Sequence, residues 1–260
     1  MDLRIAGRTA LVCASSHGLG RACALELARA GCRVVINGRN AHDVAATATD
    51  IRGETGTDVI EVPGDLADPR IQTALVDVVG GQVDILVNNN GGPAPRPWRE
   101  VDAAAIQEGV AANMITPIAM VQRVIEGMSA RGWGRIVCIT SGSVKAPVPG
   151  LDLSSGARIG LHGFLAGVAR QVAQYGVTIN FLLPGSFDTR RIEALNRRRA
   201  EEAGLTFEAA SAERVASIPG RRLGDPGELG AACAFLCSEQ AGFITGQSLL
   251  MDGGAYPGVL

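Results

Sequence analysis

Long apolar runs, unbalanced charge and clustered cysteines are all missing from this chain of 260 residues. No stretch approaches the roughly 20 apolar residues that a membrane-spanning helix needs, so no membrane association is expected. The 24 Lys and Arg against 26 Asp and Glu leave a formal net charge of -2. That balance offers neither a basic field for nucleic acid nor a polybasic patch for a lipid surface. The one short basic run, Arg197-Arg198-Arg199, is followed by Glu201 and Glu202 and reads as a solvated helix face. The six cysteines (Cys13, Cys23, Cys32, Cys138, Cys233 and Cys237) form no CxxC pair and join no histidine at zinc spacing. Buried reduced thiols are expected, and no metal site. Met1 to Ala6 holds no long apolar region, so a secretory leader is not expected and a cytoplasmic location is. With no Pro/Ser-rich linker, low-complexity tract or repeat, residues 1–260 should form a single domain.

What is present is rhythm. Apolar, β-branched runs at Thr9–Ala14, Arg33–Asn37, Asp58–Val62, Asp84–Asn88, Arg135–Thr140, Val177–Leu183 and Ser248–Asp252 alternate with amphipathic helical stretches. Leu19–Ala30 is one of these, closed by Gly31 where a left-handed cap residue belongs. Strands that are nearly continuous in apolar residues are buried on both faces, which marks a parallel sheet between helix layers. The expected fold is therefore α/β: a Rossmann-like, doubly wound, seven-stranded parallel sheet in a three-layer α/β/α sandwich. Asp188 to Arg222 breaks the rhythm. It is charged, helical in pattern and too long for an ordinary connection, as a lid over a site would be.

The segment Ala14-Ser15-Ser16-His17-Gly18-Leu19-Gly20 follows the first strand and opens the first helix. Glycines there permit a tight turn and close approach of a pyrophosphate to free helix amides. The second strand ends Asn37-Gly38-Arg39. A fold that prefers NAD puts an acid near this point for the ribose hydroxyls. Gly38 followed by Arg39 instead suits a 2′-phosphate, which a guanidinium can grip bidentately; the other reading of Arg39 is an exposed surface arginine.

These segments, with Gly64-Asp65-Leu66, Val87-Asn88-Asn89-Asn90-Gly91, Asn113, Ile139-Thr140-Ser141, Pro184-Gly185-Ser186-Phe187-Asp188-Thr189, Arg222-Leu223-Gly224-Asp225-Pro226-Gly227-Glu228, Ile244-Thr245-Gly246-Gln247 and Asp252-Gly253-Gly254, resemble the short-chain dehydrogenase/reductase family over essentially the whole chain. The similarity is to its β-ketoacyl-ACP-reductase-like branch. It implies an NADP(H)-dependent oxidoreductase acting on a carbonyl or secondary alcohol. It implies a cofactor held by Ala14, Ser16, His17, Gly18, Leu19, Gly20, Arg39, Asp65, Leu66, Asn89, Asn90, Gly91, Arg158, Pro184, Gly185 and Thr189. It also implies a homotetramer, with a dimer second, built on the Ser154–Tyr175 helix and the last strand. Two loop positions depart from the pattern: Asn90 replaces an alanine, and Ala14 replaces the first loop glycine. Ala14 is expected to be tolerated only with a negative φ.

The larger departure is catalytic. The resemblance calls for Ser141 and Asn113, both present, and then for a tyrosine and a lysine where Ser154 and Arg158 stand. A phenol, with its pKa near ~10, can be tuned toward neutrality by an adjacent cation, whereas an aliphatic hydroxyl is a far weaker acid. Arg158 shares a helix face with Ser154 at i,i+4 and can hold a ribose hydroxyl, but a guanidinium of pKa above about 12 does not donate its proton. Lys145, four residues past Ser141, is either a replacement proton source or a solvated loop lysine. Tyr175 and Tyr256, the only tyrosines, lack the spacing, and His162 reads as a helix-surface or interface residue. Trp98 and Trp133 hint at an apolar-walled pocket. Two functions remain open: a reductase with an altered acid, and a non-catalytic dinucleotide-binding protein with a regulatory or structural role.

Overall fold

The computed structural model describes residues 2–258. Seven strands form one sheet in the order β3-β2-β1-β4-β5-β6-β7, all neighbours running parallel. They are β1 (Thr9–Val12), β2 (Arg33–Gly38), β3 (Val59–Pro63), β4 (Ile85–Asn88), β5 (Gly134–Ile139), β6 (Val177–Pro184) and β7 (Ser248–Met251). Each coincides with an apolar run in the sequence to within about two residues at either end.

Helices cover both faces, as two-sided burial of the strands requires. On one side lie α1 (Gly18–Arg29), α2 (Ala41–Thr55) and α9 (Pro226–Leu236), whose Leu27, Val44, Ile51, Leu229 and Cys233 pack on Val12, Val34, Ile36 and Val87. On the other lie α3 (Pro69–Asp77), α5 (Thr116–Ala130) and α6 (Asp152–Val172), whose Leu75, Met120, Val124, Leu161 and Leu165 pack on Leu11, Leu86, Ile136 and Phe181. α1 stops where expected, with Gly31 at φ +84° just past its C-cap.

The sheet order reverses direction between β1 and β4. In such folds the crevice at the carboxyl ends of the strands, at that switch point, is where ligands bind. The short helix α4 (Ala103–Val110) leads into five residues of π-helix, Ala111–Ile115, and then into α5. The Asp188–Arg222 excursion is helical, as its pattern implies: α7 (Arg190–Ala203) and α8 (Phe207–Ser217). Its basic run is a solvated face, with Arg197, Arg198 and Arg199 paired to Glu193, Glu202 and Glu213. All six cysteines are buried and free; burial pushes the Cys13 and Cys138 thiols up to about 12, which makes them poor nucleophiles. Among the described residues no helix is long and apolar enough to cross a membrane, and no cluster of His, Cys, Asp and Glu could hold a metal ion.

Candidate active site

The carboxyl ends of β1, β2, β4, β5 and β6 bring most of the sequence candidates to one edge of the sheet. The turn after β1 is held from three directions. Asn37, fully buried at the end of β2, accepts the Ala14 N–H on Oδ1 (3.3 Å) and donates from Nδ2 to the carbonyls of Val62 (2.9 Å) and Gly64 (3.1 Å). Asn89 donates from Nδ2 to the Ala14 carbonyl (3.0 Å). Ser15, also buried, donates to the Val12 carbonyl (2.7 Å) and accepts from the Asn37 N–H (3.0 Å). Gly20 must lack a side chain because a Cβ there would lie 2.4 Å from the Ala14 carbonyl oxygen and 2.7 Å from Asn89 Nδ2.

Ala14 itself contradicts the expectation of a negative φ: it sits at +44°. The left-handed conformation costs a residue with a Cβ roughly 1–2 kcal/mol, and the bonds from Asn37 and Asn89 hold the strained turn in place.

At the end of β2, a Cβ on Gly38 would fall 2.5 Å from Ser16 Oγ and 3.0 Å from Val44. No acidic side chain fits at position 38 while Ser16 is there. Arg39 is exposed and makes no hydrogen bond or ion pair among the described residues. Asp65, after β3, is exposed and caps its own turn through the Ala67 N–H (2.9 Å). Leu66 is buried in the core, so at the surface only its backbone is on offer. Thr189 caps α7, and its methyl lies 3.5 Å from where a Cβ on Gly18 would be, so the excursion starts directly across from the phosphate turn. Arg190 reaches His17 Nδ1, and His17 Nε2 meets Asp43 at 2.7 Å; the Asp43 carboxyl is held below its usual range chiefly by that bond.

The catalytic candidates converge behind this turn. Ser141, just past β5, accepts the Ser143 N–H on Oγ (3.1 Å), which leaves its own proton free to donate. Asn113 sits in the π-helical segment, a distortion common at functional sites, with its Oδ1 buried and without a hydrogen-bond partner. A cavity of about 10 Å3, room for one water, lies between Asn88, Asn113, Cys138 and Arg158.

Arg158 is the centre of the cluster. It is 7% exposed and donates from Nε to Ser154 Oγ (3.0 Å), from Nη1 to the Ile139 carbonyl (3.0 Å) and from Nη2 to the Asn90 carbonyl (3.2 Å). The i,i+4 pairing of positions 154 and 158 is thus as read from the sequence. The charge state is not quite: burial, aided by the Arg191 charge, pushes the guanidinium down to about 10, although it remains a cation at neutral pH. Asn90, the departure from alanine, is used structurally, donating from Nδ2 to the Ala112 carbonyl (2.9 Å) beside Asn113.

The structure refines the readings of His162, the two tryptophans and Lys145. His162 is half-buried: its Nε2 lies 2.9 Å from Thr140 Oγ1, its Nδ1 lies 3.3 Å from Ser248 Oγ, and its ring stacks on Phe181 with centroids 3.9 Å apart. Trp133 lies away from the site, bonded to Glu239 (2.7 Å) and sandwiched by Arg8 and Arg135. Trp98 is 65% exposed. Lys145 is half-buried and donates its backbone N–H to the Gly142 carbonyl (2.9 Å), while its ammonium stands 5.7 Å from the centroid of the Tyr256 ring. Sequence reasoning also missed Asn37 and Arg191. Arg191, at the start of α7, donates to the carbonyls of Gly92 (3.1 Å) and Pro93 (3.4 Å). One signal for Lys145 was available: it is the chain's only lysine among 24 basic residues.

Two outcomes follow from this geometry. Replacing Ala14 by glycine removes the strain and should stabilise the fold by about 1 kcal/mol; urea denaturation showing no gain would mean the turn relaxes freely. Burial and the Arg158 charge lower His162 from 6.5 to about 4. Below about pH 6.5 the unfolded chain takes a proton that the folded chain refuses, so stability is lost as pH falls from there to about 4. The urea midpoint of the wild type should therefore drop more steeply over this window than that of His162→Asn, and parallel curves would contradict it.

Known proteins resemble this chain over nearly its whole length. A family model described as enoyl-(acyl carrier protein) reductase matches residues 13–256. The chain is similar to the acetoacetyl-CoA reductase of Cupriavidus necator, 33% identical over 96% of this chain and 99% of that one. It is also similar to the 3-oxoacyl-(acyl-carrier-protein) reductase of Vibrio cholerae, 32% identical over 98% and 99%. The crystal structure of L-sorbose reductase from Gluconobacter frateurii, complexed with NADPH and L-sorbose, superposes with a TM-score of 0.94 at 26% identity over the full length of both chains. From the glycine turn to the closing Asp252-Gly253-Gly254 segment, this chain belongs to the short-chain dehydrogenase/reductase family, in its β-ketoacyl-ACP-reductase-like branch.

Proposed function

We propose that the chain is an NADP(H)-dependent oxidoreductase interconverting a carbonyl and a secondary alcohol, with Ser154 and Arg158 in place of a tyrosine and a lysine. The observation that carries the cofactor reading is the end of β2. Ser16 leaves no room for a side chain at Gly38, and the adjacent Arg39 is exposed and unpaired, a combination suited to a 2′-phosphate and hostile to NAD-selecting acids. The cradle at Gly20 and the free amides opening α1 suit a pyrophosphate. The residues to hold the dinucleotide are Ala14, Ser16, His17, Gly18, Leu19, Gly20 and Arg39 at the phosphates, and Asp65 and Leu66 toward the adenine. Asn89, Asn90, Gly91, Arg158, Pro184, Gly185 and Thr189 serve the nicotinamide end. When bound, NADP(H) supplies or accepts the hydride.

The remaining work falls to this chain. Ser141, its oxygen already accepting from Ser143, donates its proton as a hydrogen bond to the substrate oxygen and polarises the carbonyl. Ser154 accepts from Arg158 on its oxygen, so its proton too is free to donate. Asn113 Oδ1 and Arg158 flank a cavity that fits one water. The proton that completes alcohol formation comes from water or from Lys145, passed along these hydroxyls. Arg158 stays charged throughout and holds Ser154 and the ends of β4 and β5 in register. Loss of a dedicated acid costs about 10²–10⁴-fold, so turnover is expected to be slow. Serine at position 154, where the resemblance calls for a tyrosine, favours a second reading, a dinucleotide-binding protein without catalysis.

The proposed assembly is a homotetramer, with a dimer second. Ile159 and Phe164 are exposed on α6 beside Gly156, Gly163 and Gly167, where an added Cβ would meet nothing within 4 Å. A monomer mass by light scattering at micromolar concentration would remove this reading.

Calorimetric titration should show NADP(H) bound more tightly than NAD(H), with Arg39→Ala reducing the preference about tenfold, the size of one charge-assisted contact. Equal binding of the two, or an unaffected Arg39→Ala protein, would sink the cofactor assignment. A spectrophotometric screen of carbonyls and alcohols should find slow turnover that Lys145→Met reduces at least about tenfold with cofactor affinity unchanged. Ser154→Tyr with Arg158→Lys should raise it. If NADPH binds but no substrate turns over in either protein, the non-catalytic reading replaces this one.

A further inference from the structure

The helical excursion after β6 is fastened to the rim of the crevice by arginines of α7. Arg191 donates to the carbonyls of Gly92 (3.1 Å) and Pro93 (3.4 Å), and Arg198 to that of Pro95. Arg190, the first residue of α7, crosses instead to the phosphate turn and meets His17 Nδ1. Beside it the Thr189 methyl stands 3.5 Å from where a Cβ on Gly18 would be. Backbone carbonyls do not titrate near neutral pH, whereas an imidazole does. Of these fastenings, only the one at His17 can respond to a proton.

Elementary hydrogen-bond chemistry fixes the form of His17 that this contact needs. A guanidinium offers N–H donors and no acceptor, so Nδ1 must present its lone pair to Arg190. The ring proton then lies on Nε2, which faces Asp43 Oδ2 at 2.7 Å. That carboxyl is held below its usual range chiefly by its bond to His17, so it accepts as a carboxylate. Donor and acceptor thus run head to tail from α7 through the phosphate turn to α2. The other neutral tautomer would turn N–H against N–H at Arg190 and a lone pair against a carboxylate at Asp43. The imidazolium would keep Asp43 but set a second cation against Arg190. The groups that act on Asp43 are His17, Arg190 and His42; His42 Nδ1 stands 4.0 Å from Asp43 Oδ1 and, once protonated, competes for the same carboxylate. His17 is also the N-cap residue of α1, yet its side chain makes no capping bond; its ring is committed to the two neighbours.

We propose that Arg190, His17 and Asp43 form a proton-controlled clasp that holds the start of α7 on the phosphate turn while His17 is neutral and releases it when His17 is protonated. Release is local, because Arg191 and Arg198 keep their carbonyl acceptors on the 92–95 loop. The phosphate end of the crevice is therefore closed in mild base and opens in mild acid. This concerns access to the turn and stands whether or not the site transfers hydride.

The test uses the full chain without added cofactor. Long-range 1H–15N correlation at about pH 8 should find His17 neutral and protonated on Nε2. An Nδ1–H tautomer, or an imidazolium at that pH, would overturn the clasp. Hydrogen exchange over residues 189–196, corrected for intrinsic rates, should be about fivefold faster at about pH 5.5 than at about pH 8, as loss of one hydrogen bond implies. Exchange in α9 should stay within about twofold over the same window. Arg190→Met should exchange at pH about 8 as fast as the wild type in acid. His17→Gln, whose amide supplies an acceptor and a donor at every pH, should lose the response. His42→Asn should keep it, and Arg191→Met should loosen α7 at both pH values with the response intact. A wild type that shows no response, a response shared equally by α9, or one that survives in His17→Gln or vanishes in His42→Asn would refute the proposal. So would an Arg190→Met protein as protected as the wild type.

Discussion

A buried cation without a counter-charge governs the architecture of this site. Desolvating a guanidinium costs several kcal/mol unless its donors are satisfied, and Arg158 meets that demand with the carbonyls of Asn90 and Ile139 and the hydroxyl of Ser154. Those acceptors belong to the ends of β4 and β5 and to α6 itself. One side chain therefore joins the three elements that carry Asn113's neighbour, Ser141's strand and position 154. A lysine ammonium is a point charge on a flexible stem, whereas the planar fork of arginine fixes directions as well as charge. At position 158 the fork of the guanidinium braces the frame through these three contacts.

The phosphate turn obeys a different constraint. Its backbone must approach a ligand closely, and here it does so with Ala14 left-handed at φ +44°. Such strain persists only where the surroundings over-determine it. The surroundings are two asparagines and a serine: Asn37 and Asn89 bind the N–H and the carbonyl of Ala14, and Ser15 is locked into β1 and β2. Each of these polar side chains is satisfied, so the network rigidifies the turn without leaving an orphaned group.

The fold was legible in the sequence because its information is local and repeated. Seven apolar runs, helical patterns between them and Gly31 at a helix end each point to the same parallel sheet, and agreement across levels is what makes a reading secure. The positions of Ser141, Asn113, Ser154 and Arg158 were also legible, through spacing on one strand end and one helix face. What could not be read depends on tertiary contact. Whether Ala14 could keep a negative φ is decided by Asn37, twenty-three residues on. His162 reads as a helix-surface or interface residue from its place on α6, and only the folded chain half-buries it against Thr140 and Phe181. Arg191 shares a basic, helical excursion with arginines that are simply solvated, and only the folded chain brings it to Gly92. Trp133 misled for the converse reason: an aromatic residue in a reductase-like chain suggests a pocket wall, but this one stacks between two arginines.

These constraints meet at position 154. A tyrosine there would need its phenol near a cation whose donors are uncommitted, because lowering the pKa of an acid depends on charge directed at its oxygen. Arg158 does direct one N–H at the side chain of residue 154, but its other contacts fix it to the backbone, and Arg191 adds positive charge close by. The positive field is therefore larger than a single lysine would give, while the group it acts on is a hydroxyl that does not ionise near neutrality. Such a field does little for acid catalysis by Ser154.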